Sequence, residues 1–315
     1  MILYYAIGGG LGHLTRSLAI INRSPFLQAN ARLIASSPLA HMITRYAGCP
    51  VDIVSEDILG SRRTYYSFLE EYAVTHAIRA IVTDTFPFGI VGELIDVLVK
   101  LPRVLVARYL KYDAYKIRVR HREGPYPSHV PAVEELDEEY LEKLRDNGDI
   151  YFIDGPIVLG DFPCAPSVED IDEDIDDNGS ISMNGRWLVV HSGPPAERKA
   201  LNDFARMQMT ACDDDPGKLC SIYPDDDIYP AERYIAGFTH VVSACGYNMA
   251  AISHAAKNRR VHHFHPLDRQ FDDQVLRLQR LREGRWLNKN VDCSTEAARF
   301  IETALTDLLP TELWK

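Results

Sequence analysis

The chain opens on an apolar run, Ile2-Leu3-Tyr4-Tyr5-Ala6-Ile7, which ends in four glycines within five residues, Gly8-Gly9-Gly10-Leu11-Gly12. His13 follows, and Leu14-Thr15-Arg16-Ser17-Leu18-Ala19-Ile20-Ile21 then carries apolar residues at helical spacing. The order reads as strand, tight loop and helix, the opening of an α/β unit. Glycines let a backbone come close to a ligand, and the helix start behind them offers N–H groups and the positive end of a dipole. His13 sits at that start. Two nucleotide fingerprints are excluded by the residues themselves. No Lys-Ser or Lys-Thr follows, as a P-loop needs, and Gly8-x-Gly10-x-x-His13 has His where the dinucleotide fingerprint needs its third Gly.

At 315 residues the chain accommodates two domains of ordinary size, expected at 1–158 and 159–315. The six cysteines stand without a C-x-x-C pair, which fits a reducing compartment, the cytoplasm, and no zinc or disulfide framework. No apolar run is long enough to span a bilayer, and no basic stretch precedes the first strand, so neither a transmembrane segment nor a signal peptide is expected. The formal charge of -11 argues against a nucleic-acid partner, because neutralising phosphates takes clustered Lys and Arg. One segment runs against that balance, with Arg103, Arg108, Lys111, Lys116, Arg118, Arg120 and Arg122 close together. It reads either as a face for an anionic acceptor or as solvated surface.

Further apolar runs, Ala31–Ala35, Val51–Val54, Arg79–Asp84 and Arg103–Ala107, alternate with helical patterns at Thr64–Ile78 and Ile90–Val99. Strands alternating with helices imply a parallel sheet, with ligands beyond its carboxyl ends. His13 and Asp84 both fall at such ends. A carboxylate beside an imidazole fixes its tautomer and raises its basicity, as a general base requires; the other reading of Asp84 is a helix N-cap. From Lys111 to Asp149 the pattern loosens, with a charged helix from Glu134 to Arg145. Tyr65, Tyr66, Tyr109, Tyr112, Tyr115 and Tyr126 read as pocket lining or as packing residues. The stretch from Tyr151 to Gly160 reads as the last strand and the crossing to the second unit.

That second unit repeats the first. Arg186–His191 reads as a strand running into Ser192-Gly193-Pro194-Pro195 and a helix from Ala196 to Met209. Phe238–Ser243 is a strand broken at Gly246, where a helix begins whose N–H groups suit a diphosphate. The acidic run from Glu169 to Asp177 reads as a loop, and Asp225-Asp226-Asp227 as surface. His262, His263 and His265 invite a metal reading, but on a strand His263 points away from the other two.

The glycine-rich stretch Gly8-Gly9-Gly10-Leu11-Gly12-His13 resembles the Gly-Gly-x-Gly-x-His N-terminal loop of GT-B glycosyltransferases, the superfamily of MurG-like and UDP-glycosyltransferase-like enzymes, with His here directly after the last Gly. Gly246-Tyr247-Asn248 is similar to their Gly-Trp/Tyr-Asn donor signature, and Pro266-Leu267-Asp268-Arg269-Gln270 to their Pro-x-x-Asp-x-Gln segment. The resemblance implies two Rossmann-like domains around a cleft, an acceptor domain and then a donor domain, with the last helix packing back on the first. It assigns catalysis to His13, as base, and Asp84. Donor binding falls to Gly10, Gly12, Ser192, Gly193, Gly246, Tyr247, Asn248, His265, Asp268 and Gln270, and acceptor binding to Phe86, Arg108 and Tyr109. A UDP- or TDP-sugar would be the co-substrate, a small-molecule or lipid-linked hydroxyl the acceptor, and no metal or other cofactor would be needed in an inverting displacement.

Two positions depart from that pattern. Ile252 stands where the family carries a Glu for the ribose hydroxyls, and Ala244 where many members carry His or Arg against the phosphates. Ile accepts no hydrogen bond and Ala brings no charge. Alongside glycosyl transfer, two other readings therefore stand: a nucleotide-sugar hydrolase, in which His13 activates water, and a catalytically silent binding or partner protein.

Overall fold

The computed structural model describes residues 1–8, 10–36, 39–96, 100–122, 124–159, 187–222, 235, 238–255 and 261–309. In the first half the order is β1 (Ile2–Ala6), α1 (Leu11–Ile21), α2 (Pro25–Asn30), β2 (Ala31–Ala35), α3 (Ala40–Ile43) and β3 (Val51–Ile53). Then come α4 (Glu56–Leu59), α5 (Arg62–Thr75), β4 (Ala80–Asp84), β5 (Arg103–Val106), α6 (Tyr112–Arg118), β6 (His129–Ala132), α7 (Glu138–Arg145) and β7 (Asp149–Phe152). The second half runs β8 (Trp187–Val190), α8 (Pro195–Ala211), β9 (Leu219–Ile222), β10 (His240–Ser243), α9 (Tyr247–Ala255), β11 (Val261–Phe264), α10 (Gln274–Arg282) and α11 (Ser294–Leu308).

The strands form two parallel sheets, ordered β3-β2-β1-β4-β5-β6-β7 and β11-β10-β8-β9. This is an α/β architecture of two Rossmann-like halves. β1 is apolar at every position because both faces of its sheet are covered. Ile2, Tyr4 and Ala6 pack into the core on one side, while Leu3, Tyr5 and Ile7 pack into the core on the other. In the second sheet Leu188 and Val190 face one cluster, Trp187 and Val189 the other.

Strand order reverses between β1 and β4 in the first sheet and between β8 and β10 in the second. Such reversals open a crevice beyond the strand ends, where ligands bind. The Gly-rich loop after β1, the Asp84 turn, the Ser192-Gly193 loop and the Gly246 turn are the four connections there. The closing helix returns to the first half: Ile301 and Leu305 of α11 share a core with Leu14 and Leu18 of α1, and Ser24 Oγ donates to Glu302 at 2.9 Å. α1, enclosed between sheet and α11, is accordingly buried around most of its circumference, its polar Thr15, Arg16 and Ser17 included.

Several elements differ from their sequence-based expectation. No α-helix spans 90–96; one 3₁₀ turn, Glu93–Ile95, stands there. Gly89 and Gly92 both sit at φ +80, and the buried Glu93 carboxylate folds back to accept from the amides of Ile90 and Val91 at 3.1 and 2.9 Å and from the Tyr5 hydroxyl. The helix expected from Glu134 begins at Glu138, while α6 and β6 lie in the stretch that sequence leaves irregular. Several of the basic residues of 103–122 are engaged at separate places. Arg103 is buried against the carbonyls of Pro87 and Pro125, Lys116 pairs with Glu139 and Arg122 with Asp96. Tyr65, Tyr112 and Tyr115 are core residues. The acidic run 169–177 and residues 225–227 lie outside the described residues.

Candidate functional site

The strand ends of both halves open on one cavity of about 630 Å³, the size of a ligand pocket. Gly8, Gly10, Gly12, His13, Phe86 and Arg108 line it from the first half; Ser192, Gly193, Gly246, Tyr247, Asn248 and Gln270 line it from the second.

α1 begins at Leu11, so its first turn presents His13 to this cavity and places Arg16 one turn behind on the same face. His13 Nδ1 donates to Asp84 Oδ2 at 2.6 Å. Asp84 is fully buried, and Arg16 clasps it from behind, Nε to Oδ1 at 2.8 Å and Nη2 to Oδ2 at 2.6 Å. Burial alone would raise the Asp84 carboxyl, but Arg16 and His13 hold it well below the usual carboxylate range. An ionised carboxylate only accepts, so Nδ1 carries the imidazole proton and Nε2 carries the lone pair. Burial also pushes His13 below its ordinary range; the bond to Asp84 opposes this, and Arg108 and Arg16 add to it. The ring is therefore neutral at neutral pH. Phe86 stacks on it with centroids 5.5 Å apart. A Cβ on Gly8 would stand 2.3 Å from Cδ2 and 2.9 Å from Nε2, so glycine is required there by the imidazole itself.

Asp84 caps no helix: none begins there, and its carboxylate belongs to His13 and Arg16. From the next residue a chain of charges runs into the second half. The Thr85 hydroxyl accepts from Arg16 Nη2 at 3.1 Å and Arg108 Nε at 3.0 Å. Arg108 Nη1 donates to Asp272 Oδ1 at 2.7 Å, and Arg277 joins Asp272 and Glu134 through bonds of 2.6 and 2.8 Å. Three guanidinium groups thus face three carboxylates inside the protein, a balance without which the desolvation of each would be prohibitive.

The second half meets this wall directly. Asn248 Nδ2 donates to the Gly12 carbonyl at 3.2 Å, and the Arg16 guanidinium lies 4.9 Å from the centroid of the Tyr247 ring. The two glycine turns that sequence singled out are therefore in contact. After β8, His191 Nε2 bonds Glu197 Oε2 at 2.8 Å, and Arg269 Nη2 donates to the same oxygen at 2.6 Å. A Cβ on Gly193 would meet His191 and Glu197 at 2.3 and 2.4 Å.

No protein-family model and no curated protein matches the sequence. Solved structures share its fold. Spinosyn rhamnosyltransferase SpnG, complexed with thymidine diphosphate, matches with a TM-score of 0.51 at 14% identity, over 97% of this chain and 92% of that one. SsfS6, a Streptomyces sp. SF2575 glycosyltransferase, gives 0.52 at 11% over 98% and 96%. The UDP-GlcNAc 2-epimerase of Methanocaldococcus jannaschii gives 0.52 at 12% over 97% and 99%. The chain has a GT-B fold.

Within the GT-B fold not every expected site residue reaches the cavity. His265 stacks on Phe204 at 4.9 Å, outside the lining. Asp268 is fully exposed, 3.7 Å from Lys111 Nζ. Tyr109 lies under Arg280, and its amide donates to Glu134. From the segment after β11 it is Arg269, Gln270, Phe271, Asp272 and Gln274 that line the cavity instead. Ile252 and Ala244 do line the cavity, with Val190, Ile222 and Met249, so this wall is apolar. His263 turns onto the face of His240, Nε2 3.0 Å from Nδ1, and both rings stack on Trp187. Burial and His240 push His263 down to about 4. Among the described residues no three His, Cys, Asp or Glu side chains converge as a metal site. No helix among them is long and apolar enough to cross a membrane.

Sequence reasoning missed Arg16, Thr85, Glu134 and Arg277. Only Arg16 had a local signal, its position one turn from His13.

Proposed function

We propose that the chain is a glycosyltransferase that moves a sugar from a nucleotide-sugar to an acceptor hydroxyl, with His13 as general base. The observation that carries this reading is the His13–Asp84 pair at the junction of the two halves. The neutral imidazole lines a cavity large enough for a sugar nucleotide, its proton is fixed on Nδ1, and its Nε2 lone pair is ready for an acceptor proton. The acceptor would enter beside Phe86 and Arg108, and the donor would lie against the second half. Negative charge developing on the leaving diphosphate would meet the N–H groups at the start of α9, without a metal. Attack from the face opposite the diphosphate would invert the anomeric centre. The glycosyltransferases that share the fold support the reading, one of them complexed with thymidine diphosphate, which favours a TDP- or UDP-sugar.

The experiment is a turnover assay with UDP- and TDP-sugars and a panel of hydroxyl acceptors, following release of the nucleoside diphosphate. Wild type releases it only with acceptor present. His13→Ala turns over roughly 10² to 10⁴ times more slowly, the usual worth of a general base. Release without acceptor would instead mark a hydrolase.

The apolar wall favours a second reading, a GT-B-like binding protein without turnover. Ile252→Glu would then create a ribose contact worth roughly 1.5 to 3 kcal/mol. Nucleotide binding by the variant alone would support this second reading and count against the first.

A further inference from the structure

Among the described residues that line the site or bond to it, Thr85 is the non-glycine residue whose backbone is forced. It is fully buried and β-branched, yet sits at φ +72, a region that costs a residue of this kind about 1 to 3 kcal/mol. The Phe86 amide donates to the Asp84 carbonyl at 2.9 Å, so residues 84–86 form a γ-turn with positive φ at its centre, a rare and strained conformation. The turn has a definite result. It directs both neighbours of Thr85 onto one imidazole, Asp84 onto Nδ1 and Phe86 onto the ring face. The strained residue is held by its amide, which donates to the Val106 carbonyl at 2.9 Å, and by its hydroxyl, which donates to Asp84 Oδ2 at 3.5 Å and accepts from Arg16, the partner of Asp84, and from Arg108, the partner of Asp272.

We infer that Thr85 is a positioning residue, which transmits the Arg108–Asp272 contact between the two halves to the orientation of His13. Asp272 follows β11 and lines the cavity beside Gln270 and Phe271, on the segment that reaches over from the second half. When that segment is seated, Arg108 is drawn to Asp272 and its Nε is aimed at Thr85. The hydroxyl, shared with Arg16, then fixes the turn that aims Asp84. The base is thereby set only while the second half is in place, which ties proton removal to an assembled cavity.

This rests on His13 as the proposed base, but it is tested without turnover. Imidazole nitrogen NMR of the full chain reads the tautomer and titration of His13, assigned by its loss in His13→Gln. Charged groups that act on the ring are Asp84 and Arg108 from the strand ends and Arg16 from α1, so the variants leave all three in place. Thr85→Ser keeps the hydroxyl and is expected to retain the wild-type Nδ1–H tautomer. Thr85→Gly relieves the strain but removes the hydroxyl, and Thr85→Val keeps the branched shape without it; both are expected to give mixed tautomers. Asp272→Asn, which does not touch the imidazole, is expected to displace the His13 titration downward as Arg108 loses a counter-charge. A Thr85→Gly protein with the wild-type tautomer would show that the hydroxyl positions nothing. An unchanged titration in Asp272→Asn would show that no signal crosses from the second half. A chain that transfers no sugar would leave either reading of the spectra intact.

Discussion

Arg277→Met removes the cation at the centre of the buried network, and the structure sets what that costs. The guanidinium is 1% exposed and contacts Glu134, also 1% exposed, and Asp272, 11% exposed. Asp272 keeps Arg108, but Glu134 retains only neutral donors, the Trp286 indole at 2.9 Å and the Tyr109 amide at 3.0 Å. A carboxylate stranded in this way costs roughly 3 to 5 kcal/mol, or about 6 to 20 °C in Tm. The sign with pH follows from the same groups. In wild type, burial would raise Glu134, yet Arg277 holds it below its usual range. Its stabilising contribution is therefore present above the unfolded-state value of about 4 and is lost only as pH falls through the lower folded value. Without Arg277 burial dominates, the folded value rises above the unfolded one, and protonation relieves the penalty. Thermal melts at pH 8, 6.5 and 5 are expected to show a deficit that narrows toward pH 5, and Glu134→Gln added to Arg277→Met is expected to recover much of it. A deficit equal at all three values, or a variant as stable as wild type at pH 8, would refute the reasoning.

Two further outcomes follow from His13. In Gly8→Ala the new Cβ displaces the imidazole, and steady-state kinetics are expected to show about 10²-fold lower turnover with an unchanged melting curve, since misplacement of a reacting group by about 1 Å costs that much; normal turnover would mean that the ring does not act from this position. The acid limb of kcat/KM is expected below the ordinary His value of about 6.5, because a base whose pKa is lowered by burial stays unprotonated to lower pH; a limb above that value would contradict the environment described for His13.

Much of the architecture was legible because it is local. The apolar runs of β1, β4 and β8 and the glycines behind β1 and β10 are contiguous signals, and they place both reversal points of strand order. The segment 90–96 was misread as helix because its apolar spacing outweighed Gly89 and Gly92, whose positive φ ends any helix there. β6 went unseen because Pro131 lacks an N–H and its register with β5 is confined to Val104–His129, so the strand has little pattern of its own. The charge network was illegible for another reason. Arg16 is 68 residues from Asp84, Arg108 is 164 from Asp272 and Arg277 is 143 from Glu134. No periodicity relates residues so far apart, and each charge by itself reads as surface. His265 and Asp268 fell within the recognised segment, but a motif match does not say which of its side chains face the cavity: His265 stacks on Phe204 and Asp268 faces solvent.

The central claim is that the cavity holds a sugar nucleotide against His13, and binding of the leaving group tests it most directly. Wild-type protein would be melted with UDP, TDP, GDP, ADP and CDP at millimolar concentration. A ligand at one hundred times its Kd stabilises the native state by about 2.7 kcal/mol, which a melting curve resolves easily. The account predicts a saturable rise in Tm with TDP or UDP that persists in His13→Ala. No rise with any of the five would contradict it.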